Sequence, residues 1–194
     1  MKNPAQKPTL AIVVGSNRRD SINRKLAGAM SALAEPKFEV KFVDIAGLPI
    51  FGEFESALPT EVARFKDDIE GADGVLIVTP EHNRSIPAAL KNAIDWGGPA
   101  AGQNVWAGKP VLLTGTSPGS IGTALAQQHL RQILGSFLGA LVLGGEAYIT
   151  FKPDLIDANG RIAEDGTQKF LRSFIDQFAT IVGRLRRTSE RAAA

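Results

Sequence analysis

The segment Gly15-Ser16-Asn17-Arg18-Arg19-Asp20-Ser21-Ile22-Asn23 has the residue types of an anion cradle. It follows a short apolar run, Leu10 to Val14, and precedes a helical pattern that starts at Ser21. A strand feeding a polar loop that opens a helix brings free N–H groups and positive dipole to that loop. Ser16, Ser21 and Asn23 add neutral donors, and Arg18 or Arg19 adds charge-assisted ones. The loop lacks the lysine of a Walker P-loop and the spaced glycines of a dinucleotide fingerprint. What it suits is one terminal monophosphate, such as that of flavin mononucleotide (FMN). The same residues also suit a plain polar turn in which Ser21 only caps the helix.

Two other loops carry the remaining chemistry. Thr79-Pro80-Glu81-His82-Asn83-Arg84-Ser85-Ile86-Pro87 is polar between two prolines. Pro80 pre-shapes the turn, and Pro87 sits where a helix tolerates proline best. A flat heterocycle needs backbone N–H groups and planar side chains. Glu81 to Arg84 can offer the first, His82 and Asn83 the second. Thr114-Gly115-Thr116-Ser117-Pro118-Gly119-Ser120-Ile121-Gly122 is small enough for main chain to approach a ligand closely. Read singly, the first could be a capped turn and the second an ordinary glycine-rich connection. No nucleophilic triad or paired-carboxylate site stands out. The two histidines, His82 and His129, lie far apart, and there is no cysteine, so no metal site is expected. No catalytic residue is assigned.

The elements that must position these loops alternate regularly. Apolar runs at Leu10–Val14, Phe38–Val43, Val75–Thr79, Val111–Thr114 and, more weakly, Ala140–Leu143 read as parallel strands buried on both faces. The last could extend to Ile149 beyond Gly144-Gly145. Helical patterns follow at Ser21–Ala34, Pro59–Glu70, Pro87–Trp96, Ser120–Phe137 and Asp165–Arg187. This alternation predicts an α/β fold: a five-stranded parallel sheet in the order 2-1-3-4-5 with helices on both faces, flavodoxin-like. In such a sheet ligands bind beyond the carboxyl ends of the strands, where the strand order switches. The loops after strands 1, 3 and 4 then share one crevice.

Residues 1–194 read as one domain, with 188–194 a frayed tail. Hydrophobic residues make up 44% and charged residues 22% of the chain, and the net charge is +2. No basic stripe implies a nucleic-acid partner; the arginine-rich end from Arg184 to Arg191 reads as a solvated helix terminus. There is no signal-peptide core and no membrane span, and the lack of cysteine fits the reducing cytoplasm.

Gly15-Ser16-x-Arg18-x-x-Ser21-x-Asn23 followed by Pro80-Glu81-x-Asn83-x-Ser85-Ile86-Pro87-x-x-Leu90-Lys91-Asn92-x-Ile94-Asp95-Trp96 resembles the NADPH-dependent FMN reductase family over roughly residues 8–180. Its quinone, chromate and azo-dye reductase members look most similar. The resemblance implies non-covalent FMN, NADPH or NADH as donor, a small-molecule acceptor, and a homodimer or homotetramer. It implies that Ser16, Arg18, Ser21 and Asn23 hold the FMN phosphate. Pro80, Glu81, His82, Asn83, Arg84 and Ser117 would line the ring and ribityl chain. The chain departs from the family at His82, where many relatives carry tyrosine; the ring stays flat but becomes an imidazole. The implied activity is ping-pong reduction of quinones or of chromate, azo compounds or free flavin. A flavodoxin-type electron carrier is the alternative, although such carriers are usually strongly acidic. Trp106 is a candidate anchor between protomers, and Arg131 with Glu146 resembles a pair that links dimers into tetramers.

Overall fold

The computed structural model describes residues 6–52 and 58–192, with side chains described as far as residue 188. The first strand, β1 (Thr9–Val14), serves two cores at once. Leu10, Ile12 and Val14 enter one, while Ala11 and Val13 enter the other. Strand side chains alternate between faces, so a continuous apolar run is what a strand covered on both sides requires. β2 (Glu39–Val43), β3 (Gly74–Val78), β4 (Pro110–Ser117) and β5 (Leu141–Leu143) complete a sheet ordered β2-β1-β3-β4-β5, as expected, and every pairing is parallel.

Four features differ from the sequence reading. The fifth strand is split: β5 pairs with Pro110–Leu112, and a sixth strand, β6 (Tyr148–Thr150), pairs with Gly115–Ser117. Gly144, at φ +82°, opens the gap between the halves. β2 is not buried on both faces; as the outer strand it exposes Glu39, Lys41 and Phe42, and Lys41 pairs with Asp68. A charged edge discourages further strand pairing. The expected helix over 120–137 starts only at Ala124, because Gly122 at φ +57° has a left-handed backbone that a right-handed helix cannot contain. It then widens into a π-helical segment, Arg131–Phe137. The last helix runs to Ala192, so residues 188–192, expected to fray, are helical; residues 193–194 lie outside the described part. No glycine or proline interrupts that end.

Helices cover both faces. α1 (Ile22–Ala34) and α5 (Asp165–Ala192) pack on the Leu10 side through Leu26, Met30, Phe174 and Phe178. α2 (Thr60–Gly71), α3 (Ala88–Trp96) and α4 (Ala124–Leu130) pack on the Ala11 side through Phe65, Ile69, Leu90, Ile94 and Leu130. Among the described residues no helix is long and apolar enough to cross a membrane.

Both tryptophans belong to this interior. Trp106 is 1% exposed, and its indole N–H donates to the carbonyl of Ile94 at 3.1 Å. The expectation that it anchors a second protomer is therefore wrong. A Cβ on Gly97 would lie 2.3 Å from the Trp106 indole nitrogen, so the chain has glycine where the ring sits. The segment after α3 is held by the buried ammonium of Lys66, which donates to the carbonyls of Trp96, Ala101 and Gln103 at 3.2, 3.1 and 2.6 Å. Burial lowers the pKa of this amine below the usual lysine value, and Glu70 opposes the shift. A buried charge needs such a set of partners.

Candidate active site

At the crest of the sheet the strand ends approach until side chains no longer fit. A Cβ on Gly115 would stand 2.0 Å from the carbonyl oxygen of Thr79, and one on Gly15 3.0 Å from Leu90. The Gly15 N–H donates to the carbonyl of Val78 at 2.9 Å, and the Thr79 N–H to Thr114 at 3.0 Å. The loops after β1, β3 and β4 therefore leave the sheet side by side. They enclose a cleft of about 340 Å³.

Of the expected site residues, Ser16, Arg18, Ser21, Asn23, Pro80, Glu81, His82 and Ser117 line this cleft; Asn83 and Arg84 do not. Asp20, Ile22, Thr116, Pro118 and Phe151 also line it and were missed. Ile22 and Thr116 are neighbours of predicted positions. Phe151 follows β6, and its N–H donates to the Ser117 carbonyl at 2.8 Å. Its place depends on β6, the second half of the split edge strand.

The first loop gathers the donors that an anion cradle needs. Ser21 is the N-cap of α1, its Oγ accepting from the Arg24 N–H at 3.3 Å. The Ser16 Oγ accepts from the Arg18 N–H at 3.4 Å. Both hydroxyls keep their own hydrogens to donate. The Arg24 N–H also donates to the Ser21 carbonyl at 3.0 Å, so the first-turn amides ahead of any helical carbonyl are those of Ile22 and Asn23. Arg24, not singled out from the sequence, folds the loop back by donating to the Ser16 carbonyl at 3.3 Å. Arg18 is exposed at the rim. Neutral donors, a helix N-terminus and one guanidinium form a donor set that fits a single phosphate dianion.

Asn23 is different. Its side chain is 1% exposed; Nδ2 donates to the Thr116 carbonyl and Oδ1 accepts from the Thr116 N–H, each at 2.8 Å. The resemblance implied a phosphate contact. In the structure this amide clamps the start of α1 to the end of β4, using its oxygen and one of its two amide hydrogens.

The second loop is a tight two-residue hairpin. His82 and Ser85 exchange N–H···O bonds of 2.9 Å, and Asn83 and Arg84 between them have φ of +50° and +65°. Two left-handed non-glycine residues cost about 1–2 kcal/mol each. This geometry corrects the expectation that all four amides from Glu81 to Arg84 face a ligand, because the His82 N–H closes the turn. The His82 ring is exposed in the cleft wall. Glu81 has a buried carboxylate, with a side chain only 7% exposed. One oxygen accepts from the N–H groups of Leu125 and Ala126 at 3.0 and 3.2 Å, the other from Arg84 at 3.0 Å. In the third loop the Ser117 hydroxyl donates to the Gly122 carbonyl and shapes the turn before α4.

The rest of the long second motif supports the frame. Asn92 bridges Pro49 and Phe51, accepting from the Phe51 N–H at 2.6 Å and donating to the Pro49 carbonyl at 2.9 Å. Trp96 donates to the same carbonyl at 2.7 Å. Lys91 and Asp95 pair along α3. Replacing Asn23 by alanine leaves the backbone N–H and carbonyl of Thr116 without the Asn23 partner in a buried place. Unfolding in urea should then show a loss of about 1–3 kcal/mol with an unchanged denaturant slope. An unchanged midpoint would contradict the clamp.

Comparison with known proteins gives the family and the fold. A sequence model of the family described as NADPH-dependent FMN reductase matches residues 8–154. A 2-hydroxy-1,4-benzoquinone reductase from Burkholderia sp is 48% identical over 174 residues, covering 89% of this chain and 95% of that protein. A quinone reductase from Pseudomonas putida is 44% identical, covering 90% and 94%. The solved structure of a flavoenzyme NAD(P)H:(acceptor) oxidoreductase from Paracoccus denitrificans superposes with a TM-score of 0.86 at 42% identity, covering 91% of this chain and 98% of that one. The chain belongs to the NADPH-dependent FMN reductase family, whose cofactor is FMN and whose electron donor is NAD(P)H.

Proposed function

We propose that this protein is an FMN-dependent NAD(P)H:quinone oxidoreductase working by ping-pong turnover. The observation that carries the proposal is the cleft where three loops converge on the N-terminus of α1. The names of the relatives from Burkholderia sp and Pseudomonas putida support a quinone as acceptor. On this reading Ser16, Ser21, Arg18 and the first-turn amides of α1 hold the FMN phosphate. Pro80, His82, Ser117 and the backbone of Glu81 line the ribityl chain and ring, and Asn83 with Arg84 forms the outer lip. FMN, when bound, supplies the hydride chemistry. The protein's own part is to hold the ring, keep one face open and exclude water from the other. No side chain needs to act as a catalytic base, because protons exchange with solvent at an open face. That open face also suits chromate, azo compounds and free flavin as further acceptors.

The same reading includes assembly as a homodimer or homotetramer and residence in the cytoplasm, which the absence of cysteine supports. With Trp106 in the core, the surface that fits a second copy is a groove of about 580 Å³ lined by Phe51, Ile94, His129, Ile133 and Phe137. Phe137 is 78% exposed there, and an apolar patch of this kind marks an interface. Arg131 donates to the Gly145 carbonyl at 2.9 Å, and Glu146 accepts from Gln128 at 3.1 Å. Both remain candidates for a second contact between dimers.

The test is spectroscopic. The purified protein should be yellow, release FMN on heating, and be bleached by NADPH or NADH without an acceptor, then recover its colour on adding a quinone. A protein still colourless after excess FMN would refute the reading. One that binds FMN but is not reduced by either nicotinamide would be an electron carrier instead. Arg18→Ala should weaken FMN binding by about 1.5–3 kcal/mol, roughly ten- to a hundredfold, measured by fluorescence titration. Arg19→Ala should cost less. The reverse order would mean that Arg19 reaches the phosphate.

A further inference from the structure

Glu81 stands on the loop proposed to line the flavin, yet its carboxylate serves another element. α4 has no cap of its own: its N-cap residue, Thr123, makes no side-chain capping bond, and the Thr123 hydroxyl accepts from Gln127. The amides of Leu125 and Ala126 are satisfied instead by Glu81, 44 residues earlier than Leu125. A carboxylate at a helix N-terminus is doubly favoured, by hydrogen bonds and by the dipole. The other carboxylate oxygen takes Arg84, the second left-handed residue of the hairpin. A second tie lies one turn further along α4, where the Ser85 hydroxyl meets His129 Nδ1 at 2.9 Å. A strained turn persists only where its surroundings hold it, and here α4 holds both of its ends.

The geometry points to Glu81 as a positioning residue. Its carboxylate anchors the strained hairpin His82–Ser85 to α4, and so sets where His82 and the loop backbone meet the flavin, without itself touching the flavin. The inference rests on the reading given under Proposed function and adds to the family's phosphate and ring contacts a residue that acts through another helix. It explains a carboxylate beside a ligand that is itself a dianion: the charge is neutralised by α4 and Arg84 before it faces the cleft.

Two measurements on the full chain test it: the dissociation constant of FMN, from quenching of flavin fluorescence, and amide hydrogen exchange in the FMN-free protein. Glu81→Ala should weaken FMN binding roughly tenfold or more, and should speed exchange at Leu125, Ala126 and Ser85 together while Ile12 and Leu26 stay protected. Glu81→Gln, which still offers an oxygen to α4, should restore most of the affinity. Weaker binding with unchanged exchange at Ser85 would make the Glu81 carboxylate a direct flavin contact and overturn the proposal. Faster exchange with unchanged affinity, no change in either, or a Glu81→Gln as defective as Glu81→Ala would overturn it as well. If Glu81→Ala does not fold, Ser85→Ala reads the same pair of quantities through the second tie. It should weaken FMN binding and speed exchange at His82, and wild-type values for both would overturn the proposal. Failure of the wild-type protein to bind FMN would instead bring down the functional reading, an outcome separate from all of these.

Discussion

The backbone contact between Gly115 and Thr79 is the constraint on which the cleft depends. With room for no side chain between them, the ends of β3 and β4 leave the sheet in direct contact, and β1 joins them through the Gly15–Val78 hydrogen bond. Three loops from distant parts of the chain are then forced to share one crevice. The parallel order β2-β1-β3-β4-β5 puts the first turn of α1 beside that crevice. The proposed phosphate site rests on this backbone geometry before any side chain is chosen. The side chains then refine it: Ser21 sets where α1 begins, Arg24 closes the loop over Ser16, and Asn23 locks helix to strand.

This frame explains why residues that look like ligands divide into two kinds. Ser16, Ser21 and Arg18 line the cleft with donor groups. Asn23 and Glu81 put their polar atoms into the protein, the first into β4 and the second into α4. Both kinds are polar and belong to the two motifs that carry the family resemblance. The second motif is long because it encodes scaffold and site together. Asn92 and Trp96 grip the carbonyl of Pro49, and Leu90 fills the space that Gly15 leaves. The exposed Lys91–Asp95 pair on the same helix adds only about 0.3–0.5 kcal/mol.

The strand order, the two-sided packing and the meeting of three loops were legible in the sequence, because apolar runs and their spacing are local signals. What was not legible depends on contacts between distant residues. Nothing near Asn23 tells that its partner is Thr116, 93 positions away. Nothing near Glu81 tells that α4 lacks its own cap. Trp106 looked like an anchor for a partner because it stands among small residues, but those residues are small to admit its ring. The burial of β2 was overstated for a similar reason: its apolar pattern does not reveal that it is the outer strand. Phe151 reaches the cleft only because the fifth strand breaks at Gly144 and resumes beside the second half of β4.

The central claim is that the N-terminus of α1 recognises a phosphate, with the ring held more loosely by the other two loops. Calorimetric titration of the FMN-free protein with FMN and with riboflavin tests this most directly, since the two ligands differ only in the phosphate. The account predicts FMN to bind at least about a hundredfold more tightly, the yield of two or more charge-assisted hydrogen bonds. Equal affinity for the two would contradict it.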